Sequence, residues 1–157
     1  MAKRSLRIFL DSNVMLSGLV SWRGAPRLIL DILSLDLPVL SGLTGRYNLI
    51  EIERNIEKKM PAALPIYRLY LPKLKLEVIP MPSSVDLAPL RGATEDKDLP
   101  VLASAISGRA DFFISGDKKL LSQINQNAGL PFKELNPAEF LNKVLPKILV
   151  GERRDQE

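Results

Sequence analysis

Five short apolar runs, separated by longer stretches with helical spacing, constrain this chain more than any other feature. Leu6–Leu10 reads LRIFL, residues 37–40 LPVL, 74–79 LKLEVI, 111–115 DFFIS and 132–135 FKEL. Each has the length and apolar content of a strand, and turn-forming residues bound several of them. Between the first two runs, Gly24-Ala25-Pro26 opens a helix carrying Leu28, Ile29, Ile32 and Leu33. Between the second and third, Thr44 is placed to cap a helix that keeps Leu49, Ile52, Ile56 and Met60 on one face, until Pro61 and Pro65 interrupt it. A short helix over 66–71 precedes the third run, and a polar, proline-bearing loop over 80–97 follows it. Asp98 opens the next helix with Pro100 in its first turn, residues 118–124 form another, and Asn136-Pro137 caps the last. Strands joined by helical crossovers demand a mainly parallel sheet covered on both faces. No repeat or composition break divides the 157 residues, so the expectation is one α/β domain.

Composition then removes most catalytic chemistry. The chain has no cysteine and no histidine. Disulfides, thiolate catalysis, Ser-His-Asp triads and imidazole ligands for transition metals are all excluded. Carboxylates, hydroxyls, lysine, tyrosine and a bound hard cation remain. The net charge of +4 is compatible with a polyanionic partner without requiring one. No apolar run approaches the roughly 20 residues that span a bilayer. The basic start leads only to a short apolar stretch that stops at Asp11, so neither a membrane anchor nor a signal peptide is expected. Lack of cysteine fits a cytoplasmic protein.

In an open parallel sheet, ligands bind beyond the carboxyl ends of the strands, near the reversal of strand order. Asp11 ends the first strand, Asp117 follows the fourth, Asp98 begins the helix after the third strand and its loop, and Glu51 lies in the helix after the second. Four segments thus offer an acid to one edge. Helix capping explains each aspartate taken singly, because aspartate is a good N-cap. Capping does not explain the set, nor the adjacent acids Asp96 and Asp98. Glu51 and Glu53 compete for the second position: Glu53 lies nearer the apolar seam of its helix, and either is compatible with a solvated surface. An all-oxygen cluster selects Mg2+ or Mn2+ and not zinc, and such ions can activate water against a phosphodiester.

Asn13 and Ser115 are candidates to steady a ligand, with turn hydrogen bonding as the alternative role. Arg23, Arg27, Arg46, Lys97, Lys118 and Lys119 flank the same edge in sequence and are candidate phosphate contacts, although solvated charge accounts for each one alone. Trp22 is the only tryptophan; stacking on a base competes with the simpler role of a partly buried apolar anchor.

FLDSNVMLSGLVSWRGAPRLIL, EIERNIEKK, DLPVLASAISGRADFFISGDKKLL and NPAEFL occur here in that order. Together they resemble the PIN domain, and especially the VapC-like ribonuclease toxins of toxin–antitoxin pairs. The resemblance covers nearly the whole chain and implies a five-stranded parallel sheet over residues 1–150, with 151–157 as a charged, disordered tail. It implies a Mg2+- or Mn2+-dependent endoribonuclease whose metal and catalytic residues are Asp11, Glu51, Asp98 and Asp117. Asn13, Ser115 and Asp96 would support them. It favours Glu51 over Glu53, and it implies an RNA substrate, a cognate antitoxin and a homodimer. Asp96 beside Asp98 departs from the pattern at the third acid.

Two other classes compete. A non-catalytic PIN-like module gripping RNA or protein would gain nothing from a negative cluster facing phosphates. A phosphatase like the haloacid dehalogenases would use Asp11 as nucleophile, but those resemble a strand ending in Asp-x-Asp, and this chain has Asn13 at the second acid's place.

Overall fold

β1 (Leu6–Leu10) is the central strand of a five-stranded sheet in the computed structural model, which describes the backbone of residues 4–156 and the side chains of 4–150. β2 (Leu40–Gly45) and β3 (Glu77–Ile79) extend the sheet on one side; β4 (Phe112–Ile114) and β5 (Lys133–Leu135) extend it on the other. The order is β3-β2-β1-β4-β5, and every pairing is parallel. The chain builds outward from β1 to β3, then crosses back over the sheet to lay β4 against the free side of β1. The reversal of strand order therefore falls between β1 and β4.

Alternation along β1 feeds two cores. Ile8 and Leu10 face α1 (Ser12–Val20), α2 (Ala25–Ser34), α3 (Arg46–Lys59) and α4 (Leu64–Tyr70), through Met15, Leu30, Ile52 and Tyr67. A short α5 (Ser84–Leu87) precedes the helices of the other face. There Phe9 meets α6 (Leu99–Ser107) and α7 (Lys118–Asn125), and it stacks on Phe113, which stacks on Phe132, with centroids 5.6 and 5.5 Å apart. Such ring pairs add roughly 0.5–1.5 kcal/mol each beyond their buried area. The chain closes with α8 (Pro137–Glu139), a π-helical segment Phe140–Val144, and α9 (Leu145–Gln156). Pro100 and Pro137 both fall in the first turn of their helices, where a missing N–H costs nothing.

The expected α/β class and single parallel sheet hold, and four local expectations do not. The second strand is Leu40–Gly45, not 37–40. Residues 37–40 make a turn closed by Leu40 N–H donating to the Leu37 carbonyl, and Asp36 before it is left-handed at φ 53°. Thr44 consequently lies inside the strand, its hydroxyl donating to the Leu10 carbonyl at 3.0 Å, and Gly45 takes the cap position of α3. The third strand keeps only its last three residues, because residues 71–74 coil into a 3-10 turn ending at left-handed Lys75. The 80–97 loop holds α5, capped reciprocally by Ser83 and Asp86, and two 3-10 turns. α9 runs to Gln156, and the side chains of 151–157, the expected charged tail, lie outside the described residues.

Candidate metal centre

The site starts where β1 stops. Asp11 follows Leu10 with extended backbone and serves as N-cap of α1, its Oδ1 accepting from the Ser12 N–H at 2.8 Å. Parallel pairing of β1 with β4 brings Ser115 beside it, and Ser115 Oγ donates to Asp11 Oδ2 at 2.7 Å. Asn13 Nδ2 reaches both Asp11 Oδ2 and Ser115 Oγ at 3.2 Å, while its Oδ1 accepts from the Gly116 N–H at 2.8 Å. Asn13 thus ties the end of β1 to the turn after β4. Ser115 Oγ also accepts from the Asp117 N–H at 3.1 Å.

Asn48 completes the cradle and escaped the sequence reading. It is fully buried at the start of α3, donating from Nδ2 to Ser12 Oγ at 2.8 Å and to Asp11 Oδ1 at 3.4 Å. Its Oδ1 has no hydrogen-bond partner. A Cβ at Gly45 would stand 2.8 Å from both Asn48 Oδ1 and Ser104 Oγ, so this approach requires glycine. The signal was present: Asn48 precedes Ile52 and Ile56 by one and two turns, a polar residue set in an apolar seam.

Asp11 is only 7% exposed, and all the donors it meets are neutral. Burial pushes its carboxyl up to about 6. The hydrogen bonds from Ser115 and Ser12 pull the other way, and the negative charges of Glu51 and Asp98 add to the rise. Asp98 is raised as well, by burial first; Lys97 opposes this, and Asp117, Glu95 and Glu51 contribute to the rise. The four acids therefore share one electrostatic neighbourhood, and no salt bridge among the described residues involves any of them.

The individual roles divide. Asp117 caps α7 through Oδ1 and the Leu120 N–H at 3.1 Å. Asp98 holds the cap position of α6 but makes no side-chain cap bond. Glu51 acts on Asp11 and Asp98, whereas Glu53 pairs with Arg68 at 3.3 Å. Asp96 is exposed. One expectation needs correction: among the described residues, no three carboxylates gather within reach of a single ion. Asp11 is held by its neutral donors and Asp117 by its own helix, and mutual repulsion gives the acids no reason to converge. The donor set is nevertheless anionic, all oxygen, partly buried and without a salt-bridged cation among the described residues, which fits a hard divalent ion.

Basic residues expected on this rim behave unequally. Lys119 pairs with Glu95, as does Lys97 at 3.6 Å. Arg27 is absorbed by packing: it bonds Asp31 at 3.2 Å and the Gly18 carbonyl at 3.3 Å, and lies over the Tyr70 ring. Arg23, Arg46 and Lys118 are exposed, with no side-chain hydrogen bond or salt bridge among the described residues. Trp22 is 91% exposed, which overturns the buried-anchor reading.

No family model matches this sequence, and no match is found among curated proteins. Solved structures do match. VapBC2 from Rickettsia felis, solved bound to a DNA fragment from its promoter, superposes with a TM-score of 0.63 at 14% identity, covering 83% of this chain and 98% of that one. PAE2754 from Pyrobaculum aerophilum superposes with a TM-score of 0.57, also at 14% identity, over 93% and 98% of the two chains. The resemblance to VapC-like PIN domains holds at the level of fold. Among the described residues no helix is long and apolar enough to cross a membrane.

Proposed function

We propose that this chain is a divalent-cation-dependent endoribonuclease and the toxin of a cytoplasmic toxin–antitoxin pair. The observation that carries the reading is Asp11: a buried carboxylate at the strand-order reversal, in the field of Glu51 and Asp98, with no cation paired to any of the three among the described residues. Leaving such charge uncompensated is costly unless a cation completes it. Asp11, Asp98, Asp117 and Glu51 are the residues that would hold Mg2+ or Mn2+. Such an ion supplies Lewis acidity toward water and a phosphodiester. Asn13, Ser115 and Asn48 fix the Asp11 carboxylate, so that both oxygens keep their direction. Arg46 and Lys118 are free to meet phosphate oxygens. The structural neighbour from Rickettsia felis, a VapBC assembly on its promoter, supports the pairing with an antitoxin. A homodimer accords with the same resemblance.

The deciding experiment is cleavage of RNA with Mg2+ or Mn2+, with excess chelator and with the Asp11→Asn chain as controls. Asparagine still caps a helix but cannot supply the charge. Cleavage that survives both controls rules this reading out, and retained RNA binding without cleavage by the intact chain returns it to a binding module.

A further inference from the structure

We infer that Trp22 is a stacking platform for an unpaired RNA base, forming a binding site for single-stranded RNA one helix length from Asp11; this rests on the ribonuclease reading above. A tryptophan exposed to 91% on a turn between two packed helices contributes almost nothing to the fold. Its position relates it to the site. α1 begins at Asp11 and spans nine residues, about 14 Å, so Trp22 stands one helix length from the proposed centre. Trp22 also lines a cavity of about 490 Å3 with Leu28, Ala138, Leu141 and Asn142. Ala138 belongs to the helix that leaves the carboxyl end of β5, so one wall of the cavity starts from the sheet edge that carries Asp11.

Charge selects the occupant. Arg23, next to Trp22, is exposed with no described side-chain partner, and Arg27 forms part of the cavity wall. An exposed aromatic face with the Arg23 guanidinium next to it is what a base and its phosphate require, while Arg27 is occupied by Asp31. The sole acid lining the cavity, Asp31, is bonded to Arg27 and so does not repel phosphate as a free charge would. A purely apolar protein partner would leave Arg23 without a counter-charge.

The lone tryptophan is its own reporter. An unstructured oligoribonucleotide titrated into the full chain, in excess chelator and low salt, should quench Trp22 emission; a duplex of equal length should not. Trp22→Ala should weaken oligonucleotide binding about tenfold or more, and Trp22→Phe by no more than about threefold. Both should melt with the wild type, because the ring is exposed. Unchanged emission and unchanged affinity in Trp22→Ala overturn the platform, even if metal-dependent cleavage persists. Cleavage failing while quenching persists overturns the nuclease reading instead. If Trp22→Ala leaves RNA affinity unchanged and dissociates a dimer in sedimentation, the surface belongs to a second copy of the chain, and the inference is wrong.

Discussion

The two ends of the sheet treat their acids in opposite ways. At the amino ends of the strands, Arg4 pairs with Asp111 before β4, and Arg7 pairs with Glu77 at the start of β3. Asp111 also accepts the Arg7 N–H at 2.9 Å. At the carboxyl ends, Asp11, Glu51, Asp98 and Asp117 have no arginine or lysine in salt-bridge contact among the described residues. Even Lys97 and Lys119, which flank the site, are taken up by Glu95. With 22 basic residues against 18 acidic, the chain has cations to spare. What differs is where they are spent: the amino edge is neutralised from within, and the four carboxyl-edge acids have no salt-bridge partner among the described residues.

The largest effect expected from this contrast is on cleavage. Asp11→Asn should lower metal-dependent RNA cleavage by more than about 100-fold, beyond the 10–100-fold typical of residues that merely support a ligand. Asp111→Asn, at the other end, should leave the rate unchanged. Comparable losses from the two substitutions would break the distinction between the edges.

Stability against pH sharpens the same point. Because the folded Asp11 carboxyl titrates near 6, above its unfolded value, the metal-free fold holds more protons than the unfolded chain between roughly pH 4 and 6. Its stability should therefore fall as pH rises through that window, by about 3 kcal/mol for a shift of this size. Denaturant titrations at pH 4.5 and 7 in chelator measure the fall, and Asp11→Asn should flatten it. A profile that rises through this window, as for acids paired in the native state, would place Asp11 with the amino-edge carboxylates.

Asn48 should matter next. Asn48→Leu removes the amide that bridges Ser12 and Asp11. We expect a 10–100-fold loss of metal affinity, read by calorimetry, with Asn48→Gln no better because no room exists for another methylene at a fully buried position. Metal affinity equal to wild type would make Asn48 a packing residue.

How much of this was legible in the sequence follows from the kind of signal each residue leaves. The apolar runs at Leu6–Leu10 and 111–115 announced two of the three inner strands, because buried parallel strands need continuous apolar sequence; the contact of Ser115 with Asp11 depends on which strands pair, and no local run carries that. β2 was displaced because it is built of LSGLTG: Gly42 admits Leu33 and Leu76 against the strand, and Thr44 bonds the neighbouring strand. Neither leaves an apolar trace. Asn48 left the opposite trace, a polar group where periodicity asks for leucine, and its burial against Asp11 was not legible from that alone. The choice between Glu51 and Glu53 depended on the rotation of α3 relative to Asp11 and on Arg68, fifteen residues away from Glu53. No local pattern carries either.

That choice gives a smaller test. Millimolar Mn2+ should raise the melting temperature by roughly 3–6 °C, the effect of about 1–2 kcal/mol of linked binding in a domain of this size. Glu51→Gln should reduce the shift and Glu53→Gln should not, since Glu53 already answers Arg68. The reverse ranking would transfer the second acid to Glu53.

The smallest effect should come from the amino edge itself. Glu77→Gln removes the partner of Arg7, yet the pair is partly solvated, with the Glu77 side chain 53% exposed. Such pairs are worth about 0–1 kcal/mol, and salt screens them. Arg7 keeps a second anchor, its Nε donating to the Gly108 carbonyl at 2.9 Å, so the guanidinium stays in place when the carboxylate goes. The variant should lose at most about 1 kcal/mol in denaturant titration, less in 0.5 M salt, with the Mn2+ shift and the cleavage rate both intact. A carboxylate satisfied inside the protein has no claim on an external cation. If Glu77→Gln altered metal binding as strongly as Glu51→Gln, charge at the two ends of the sheet would be acting as one long-range field. The contrast between a neutralised edge and an open one would then not be what selects the cation.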